Sequence, residues 1–306
     1  MNLSPSNQVN LYGLENQFKE LMSLYNKAKL PNKILLSGQK GSGKSTLAYH
    51  LINFVLSKNE DYSYDIKNLL INVENKSFKL VQNKSNPNFT LIDVPLEKKT
   101  IDITQIRDLI LNIKKSSFNT KPRFVLIDNI EYLNINSINA LLKILEEPIE
   151  NTYFILIHNN KKILQTLKSR FLNFKISLSN KNSIEISNKI LDMDIYEFIN
   201  QDLINYYFTP GKLYNLINFS KRNSLDLKKI QLKDFLSLII DETYYKKDSS
   251  MKYMIYDFIE LFLVSRFSFK YSDLFTQFLQ RIENTRKYNL DEESLFMEFK
   301  AKLLNG

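Results

Sequence analysis

The sequence has no cysteine, no tryptophan, two histidines and six glycines among its 306 residues. Without cysteine neither a disulfide nor a thiolate metal site can form, and His50 and His158 cannot build a zinc site alone. Also absent is any apolar run near the about 18 residues that a membrane span needs. The start of the chain, Met1-Asn2-Leu3-Ser4-Pro5-Ser6, lacks a basic segment followed by an apolar stretch, so no signal peptide is visible. A cytoplasmic protein is expected, with no membrane partner. What is present is a hydrophobic fraction of 43%, that of a globular protein, in a chain long enough for two or three domains. The net charge of +9 suits a partner that carries phosphates. Lysine is plentiful alongside Asn, Ile, Tyr and Phe, however, as a coding bias would also produce, and no dense Lys/Arg block stands out. Charge alone leaves direct contact with nucleic acid open.

Because glycine is scarce, the segment Gly38-Gln39-Lys40-Gly41-Ser42-Gly43-Lys44-Ser45-Thr46 stands out. It is a complete P-loop between an apolar strand pattern, Ile34-Leu35-Leu36, and a helix pattern, Leu47-Ala48-Tyr49-His50-Leu51. Glycines let consecutive backbone N–H groups curl toward a phosphate, Lys44 reaches the outer phosphates, and Ser45 can hold Mg²⁺. Gly38, Gly41, Ser42, Gly43, Lys44, Ser45 and Thr46 are therefore the expected nucleotide contacts, with ATP or ADP and Mg²⁺ as cofactors. A chance glycine-rich turn is the plainer reading, and the flanking strand and helix argue against it.

The front half alternates strand and helix patterns. Helices are expected over Gln17 to Ala28, Leu47 to Leu56, Ile103 to Ile113 (opened by Thr104) and Ser137 to Leu145. Strands are expected at Ile34 to Leu36, Phe89 to Val94, Phe124 to Asp128 and Tyr153 to Ile157. Short apolar strands separated by helices imply an α/β fold, a mainly parallel sheet covered by helices on both faces. Residues 58–88 break into polar sequence with a weak strand-like stretch at Phe78-Lys79-Leu80-Val81, an insertion or a poorly covered edge. After about Ser179 the chain reads as helices. There the stripe Tyr253, Ile255, Tyr256, Ile259, Phe262, Leu263, Phe267 reads as bundle core.

A P-loop ATPase also needs an acidic strand end that orders the Mg²⁺ shell, commonly followed by a Glu that activates water. Phe124-Val125-Leu126-Ile127-Asp128 supplies the strand and the Asp, so Asp128 joins Ser45 as the expected metal pair. The plainer reading of Asp128 is a solvated strand-end carboxylate. The next residue is Asn129, whose amide can position a water but cannot take its proton. Glu131 lies close by, and at a strand-to-loop exit its shift in position is expected to aim it elsewhere.

The stretch Ile138-Asn139-Ala140-Leu141-Leu142-Lys143-Ile144-Leu145-Glu146-Glu147-Pro148 closely resembles the NALLK-LEEP signature of bacterial replication clamp loader subunits, which are of the AAA+ P-loop class. Downstream, Leu164-Gln165-Thr166-Leu167-Lys168-Ser169-Arg170-Phe171 is similar to the family's T-hydrophobic-x-SRC element, with Phe171 in place of the usual Cys. The resemblance covers roughly Leu11 to Leu178. It implies an AAA+ nucleotide-binding domain over 1–179, a small helical lid domain over 180–222 and an all-helical collar domain for oligomerisation over 223–306.

The resemblance also implies roles. The arginine of the SRC element acts in trans on a neighbour's nucleotide, so Arg170 is the expected catalytic arginine finger; otherwise it is a surface arginine at a helix end. His158 and Asn159 occupy the region of the family's polar γ-phosphate sensor, unless they are an ordinary loop pair. Lys212, after Thr209-Pro210-Gly211, stands where the lid carries a basic sensor, although N-terminal helix chemistry explains Thr209-Pro210 equally well. Members of this family work in hetero-pentameric rings of delta, delta-prime and gamma/tau subunits of DNA polymerase III that load a sliding clamp onto primed DNA. Asn129, the length and the lack of a long C-terminal extension resemble the delta-prime type, with its own ATPase weak or absent, more than the ATP-hydrolysing gamma/tau motor. The four-cysteine zinc module usual in both is lost here or replaced by residues 58–88. A nucleotide-dependent DNA-binding module that works without a clamp is the remaining alternative.

Overall fold

The computed structural model describes residues 4–95, 97–115, 119–147, 149–160, 163–204, 207–266, 272–288 and 290–304. Five short segments, β1 (Lys33–Ser37), β2 (Phe89–Ile92), β3 (Arg123–Ile127), β4 (Thr152–His158) and β5 (Leu172–Lys175), pair in parallel in the order β2-β3-β4-β1-β5. Helix α1 (Glu15–Asn26) precedes β1; parallel strands need crossover connections, and the helices between them supply these: α2 (Lys44–Leu56), α3 (Lys76–Gln82), α4 (Ile103–Lys114), α5 (Ile135–Glu146) and the short α6 (Gln165–Lys168).

The strands are apolar on both faces because both faces are covered. Alternation along β3 sends Val125 and Ile127 to one side, where they join Leu35, Phe154 and Leu156 against Ile106 and Leu109 of α4 and Leu141 and Ile144 of α5. The other side is more aromatic. Phe124 stacks on Tyr153 at 5.3 Å, and Tyr25 bridges Tyr153 to Phe54 of α2. His50 of α2 is fully buried there, between the Tyr64 hydroxyl and the Gln8 carbonyl, and burial lowers its pKa to about 4.

Three local expectations change. The strand-like stretch Phe78 to Val81 is instead part of α3, because Asn75 caps that turn by accepting from the Phe78 N–H at 2.8 Å. Helix α4 opens at Asp102 rather than Thr104: the Gln105 side chain turns back to accept from the Asp102 N–H. Strand β5 was not anticipated at all. As an edge strand reading Leu-Asn-Phe-Lys, with Leu172 54% exposed, it has no apolar run to betray it.

The chain divides into two compact units, Met1–Leu178 and Ser179–Gly306. In the second unit the described elements are helical: α7 (Asn180–Leu191), α8 (Ile195–Phe198), α9 (Pro210–Arg222), α10 (Leu232–Asp241), α11 (Tyr244–Lys247), α12 (Met251–Ser265), α13 (Ser272–Tyr288) and α14 (Glu292–Phe299), with short 3₁₀ and π turns. One hydrophobic cluster runs through it from Ile184 to Leu304, taking in residues on both sides of position 222. Of the α12 stripe, Ile255, Tyr256, Ile259, Phe262 and Leu263 are buried in that core. Tyr253 is instead 48% exposed, one position off the buried face, and Phe267 lies outside the described residues. No described helix is long and apolar enough to cross a membrane.

Candidate functional site

The C-terminal ends of β1, β3 and β4 converge in the first unit, and the sequence at each end explains what it presents. After β1 the chain passes so close to the backbone following β5 that a Cβ on Gly38 would sit 2.1 Å from the Ile176 carbonyl oxygen. Only glycine fits there. Gly43 caps α2 in the left-handed region, φ 85°, and so turns the loop into the helix; Gly41 shares that conformation at φ 83°. The following residues place Lys44, Ser45 and Thr46 in the first turn of α2, where helix N–H groups and the helix dipole favour an anion. Ser42, in the same loop, is buried.

Lys44 is buried with its ammonium donating to the carbonyls of Gly38 at 3.1 Å and Gln39 at 2.6 Å. Burial lowers its pKa to about 8, against the opposing pull of Asp128 and Glu131. Ser45 donates its hydroxyl to Asp128 Oδ2 at 2.6 Å, which brings the two expected metal ligands together. Part of the Asp128 surface is exposed, but protein surrounds the carboxyl. Desolvation pushes its pKa up to about 6; the Ser45 hydroxyl opposes this and the Asp93 carboxylate adds to it.

Asn129, in the left-handed region at φ 56°, ties the ends of three strands together. Its Nδ2 donates to Asp93 Oδ1 beyond β2 at 2.9 Å, and its Oδ1 accepts from Asn159 Nδ2 beyond β4 at 3.0 Å. Glu131 does not aim elsewhere, as the sequence suggested. The left-handed turn at Asn129 and a 3₁₀ turn over Ile130–Tyr132 swing it back, so that its carboxylate accepts from Asn159 Nδ2 at 2.9 Å and from the Asn159 N–H at 3.4 Å. The signal that could have found this is the Asn129 backbone itself, since asparagine tolerates the left-handed region. Asp93 was likewise missed. It follows β2 as Asp128 follows β3, and only the sheet order shows that it stands beside Asn129.

Of the two sensor candidates, Asn159 carries the contacts to Asn129 and Glu131. His158 ends β4 buried, opposite Ser37 in register, and its carbonyl accepts from the Gly38 N–H at 3.2 Å. Arg170 follows α6 at the surface of the first unit, about one third exposed, with its guanidinium donating to the Thr166 carbonyl at 2.7 Å and pairing with Glu146. Phe171 beside it is buried in the sheet core, so the departure from cysteine there serves packing. Lys212 belongs to the second unit. Thr209 caps its helix, and the Lys212 ammonium pairs with Asp257 of α12 at 2.9 Å.

The comparisons with known proteins fit this geometry. The family model described as DNA polymerase III, delta subunit matches residues 13–180, more than half of the chain. The DNA polymerase III subunit delta' of Buchnera aphidicola subsp. Baizongia pistaciae is 29% identical over 275 residues, which span 78% of this chain and 80% of that protein. The delta' subunit of Pseudomonas aeruginosa is 30% identical over 145 residues, 47% of this chain and 42% of that protein. Among solved structures, a DNA polymerase III gamma subunit-related protein from Thermotoga maritima superposes with a TM-score of 0.53 at 16% identity, covering 92% of this chain and 97% of that one. That likeness establishes the fold, a parallel α/β unit followed by helices. The chain therefore belongs to the DNA polymerase III delta subunit family, as a clamp loader subunit of the delta-prime type.

Proposed function

We propose that this clamp loader subunit holds a nucleotide in its own P-loop and lends Arg170 to the ATP site of a neighbouring subunit. The nucleotide is ATP or ADP, held by Gly38, Gly41, Ser42, Gly43, Lys44, Ser45 and Thr46, with His158 at the end of β4 and Asn159 just beyond it. Magnesium would sit with the nucleotide at Ser45 and Asp128. The pair fits, because Mg²⁺ keeps several waters and takes few protein ligands. Among the described residues no group of three His, Asp or Glu could hold a metal by itself, so the nucleotide would complete that shell. When bound, the ion would neutralise phosphate charge.

The observation that carries this reading is the contrast between the two candidate catalytic groups. The residue after Asp128 is an amide, tied to Asp93 and Asn159, and cannot accept a proton. Arg170 is at the surface, and a delocalised cation presented there suits phosphate charge developing on another subunit. Partners would be delta and gamma/tau subunits in a hetero-pentameric ring, acting on a sliding clamp and primed DNA. Residues 180–222 would form the lid and 223–306 the collar, and the location would be cytoplasmic.

Reconstitution with gamma/tau and delta subunits tests the reading. Arg170→Ala should leave ring assembly intact and lower clamp-dependent ATP turnover, since an arginine finger contributes a factor of roughly 10³ or more at the site it serves. Turnover unchanged by that substitution would remove the finger.

A further inference from the structure

The contacts of Glu131 point to a ligand preference, an inference that rests on the P-loop holding a nucleotide. Glu131 is firmly placed. Ile130 before it is 1% exposed, and the Ile101 N–H donates to the Tyr132 carbonyl at 2.9 Å on the other side. Its two carboxylate oxygens take the Nδ2 and the backbone N–H of Asn159, while the same Nδ2 also serves Asn129 Oδ1. Both amide hydrogens of the Asn159 side chain are thereby committed. Glu131 is also close enough to Lys44 to favour its charged form.

A nucleoside triphosphate presents its terminal phosphate to the P-loop lysine and to polar donors beyond the neighbouring strand end. In this chain those donors already face a fixed anion. A terminal phosphate would have to displace the Glu131 carboxylate from Asn159 and remain beside it, like charge against like charge in a partly desolvated site. A diphosphate makes neither demand. Its phosphates need the loop N–H groups, the start of α2 and Lys44, none of which Glu131 touches by hydrogen bond. We propose that Glu131 is an internal substitute for the terminal phosphate, which makes this P-loop a site selective for a nucleoside diphosphate over a triphosphate. This gives the amide at position 129 a second role: its Oδ1 holds Asn159 where Glu131 can engage it.

Calorimetric titration of the purified full chain with Mg-ADP, and with Mg²⁺ and a β,γ-imido triphosphate analogue, tests the proposal. The wild-type chain should bind the diphosphate about tenfold or more tightly. Glu131→Gln and Glu131→Ala should each tighten the triphosphate analogue by about tenfold while moving the diphosphate less than about twofold. Equal wild-type affinities, or substitutions that move both nucleotides together, overturn it. So does a Glu131→Gln chain that loses ATP turnover with its affinities unchanged, which would make Glu131 a water-polarising base. A folded wild-type chain that binds neither nucleotide defeats the nucleotide reading itself, an outcome distinct from equal binding.

Discussion

The Ser45 hydroxyl donates to Asp128 Oδ2 at 2.6 Å, joining the first turn of the P-loop helix to the residue that follows β3. Nucleotide affinity should follow a bell in pH as a result. Below about 6 Asp128 takes up a proton and loses its hold on a magnesium-nucleotide; above about 8 Lys44 loses its charge. Titration of Mg-ADP between pH 5 and 9 should give the tightest binding near neutrality.

The same carboxyl opposes folding. Its folded pKa lies above the ordinary carboxylate value, so its contribution to stability is full below the unfolded pKa and is lost as pH rises through about 6. At pH 7 the charged form costs about 3 kcal/mol. Asp128→Asn should therefore raise the Tm at pH 7 and weaken Mg-ADP binding. Its amide can still accept from the Asn129 N–H, as Asp128 Oδ1 does at 2.7 Å, and donate toward Ser45. The gain should fade toward pH 5. Thermal melts at the two pH values read it directly.

Residues 58–88, where the family carries a zinc module, are held by Glu60. Its carboxylate accepts from the Ser77 hydroxyl at 2.7 Å, the Ser77 N–H at 3.1 Å and Asn75 Nδ2 at 3.1 Å, and pairs with Lys121. Burial raises its pKa, but the hydrogen bonds from Lys121 and Ser77 outweigh that and leave it below the usual carboxylate range. A depressed pKa gives stability above the unfolded value that is lost as pH falls through the folded one. Glu60→Ala takes the acceptor from the Ser77 N–H and Asn75 Nδ2, while the Ser77 hydroxyl keeps the Leu56 carbonyl, and should cost about 2–4 kcal/mol, read by urea unfolding at pH 7. A metal chelator should leave the same unfolding curve unchanged.

What could be read from the sequence was whatever rests on local pattern. The P-loop, the Asp128 strand and the Arg170 element each carry their chemistry in a few consecutive residues, and the apolar runs of β1, β3 and β4 reflect burial on both faces. What could not be read depends on partners far along the chain. Strand β5 is defined by hydrogen bonds to β1 rather than by its own composition. Asp93 gains meaning only from sheet order, which sets β2 beside β3. Glu131 was misjudged because a single left-handed residue, Asn129, reverses the direction in which its side chain leaves the strand. Helix α3 was missed because its start depends on one capping side chain, while its four-residue apolar stretch fits a strand as well as a helix.

Lys212 has two readings, the basic sensor that the sequence resemblance implies and its pairing with Asp257 within the second unit. The pair is at 2.9 Å with both side chains about three-quarters covered, and the ammonium lies 6.0 Å from the Phe208 ring centre. A largely covered pair of this kind contributes about 1 kcal/mol, more than an exposed one because water screens it less. Asp257→Asn should cost about that much in unfolding free energy. A double-mutant cycle with Lys212→Met should show coupling of similar size. If Lys212 also reaches a phosphate, Asp257→Asn should tighten Mg-ADP by a few-fold, because the ammonium then leaves a neutral amide rather than a carboxylate. Coupling in the cycle with an unchanged ADP affinity would confine Lys212 to holding α9 against α12.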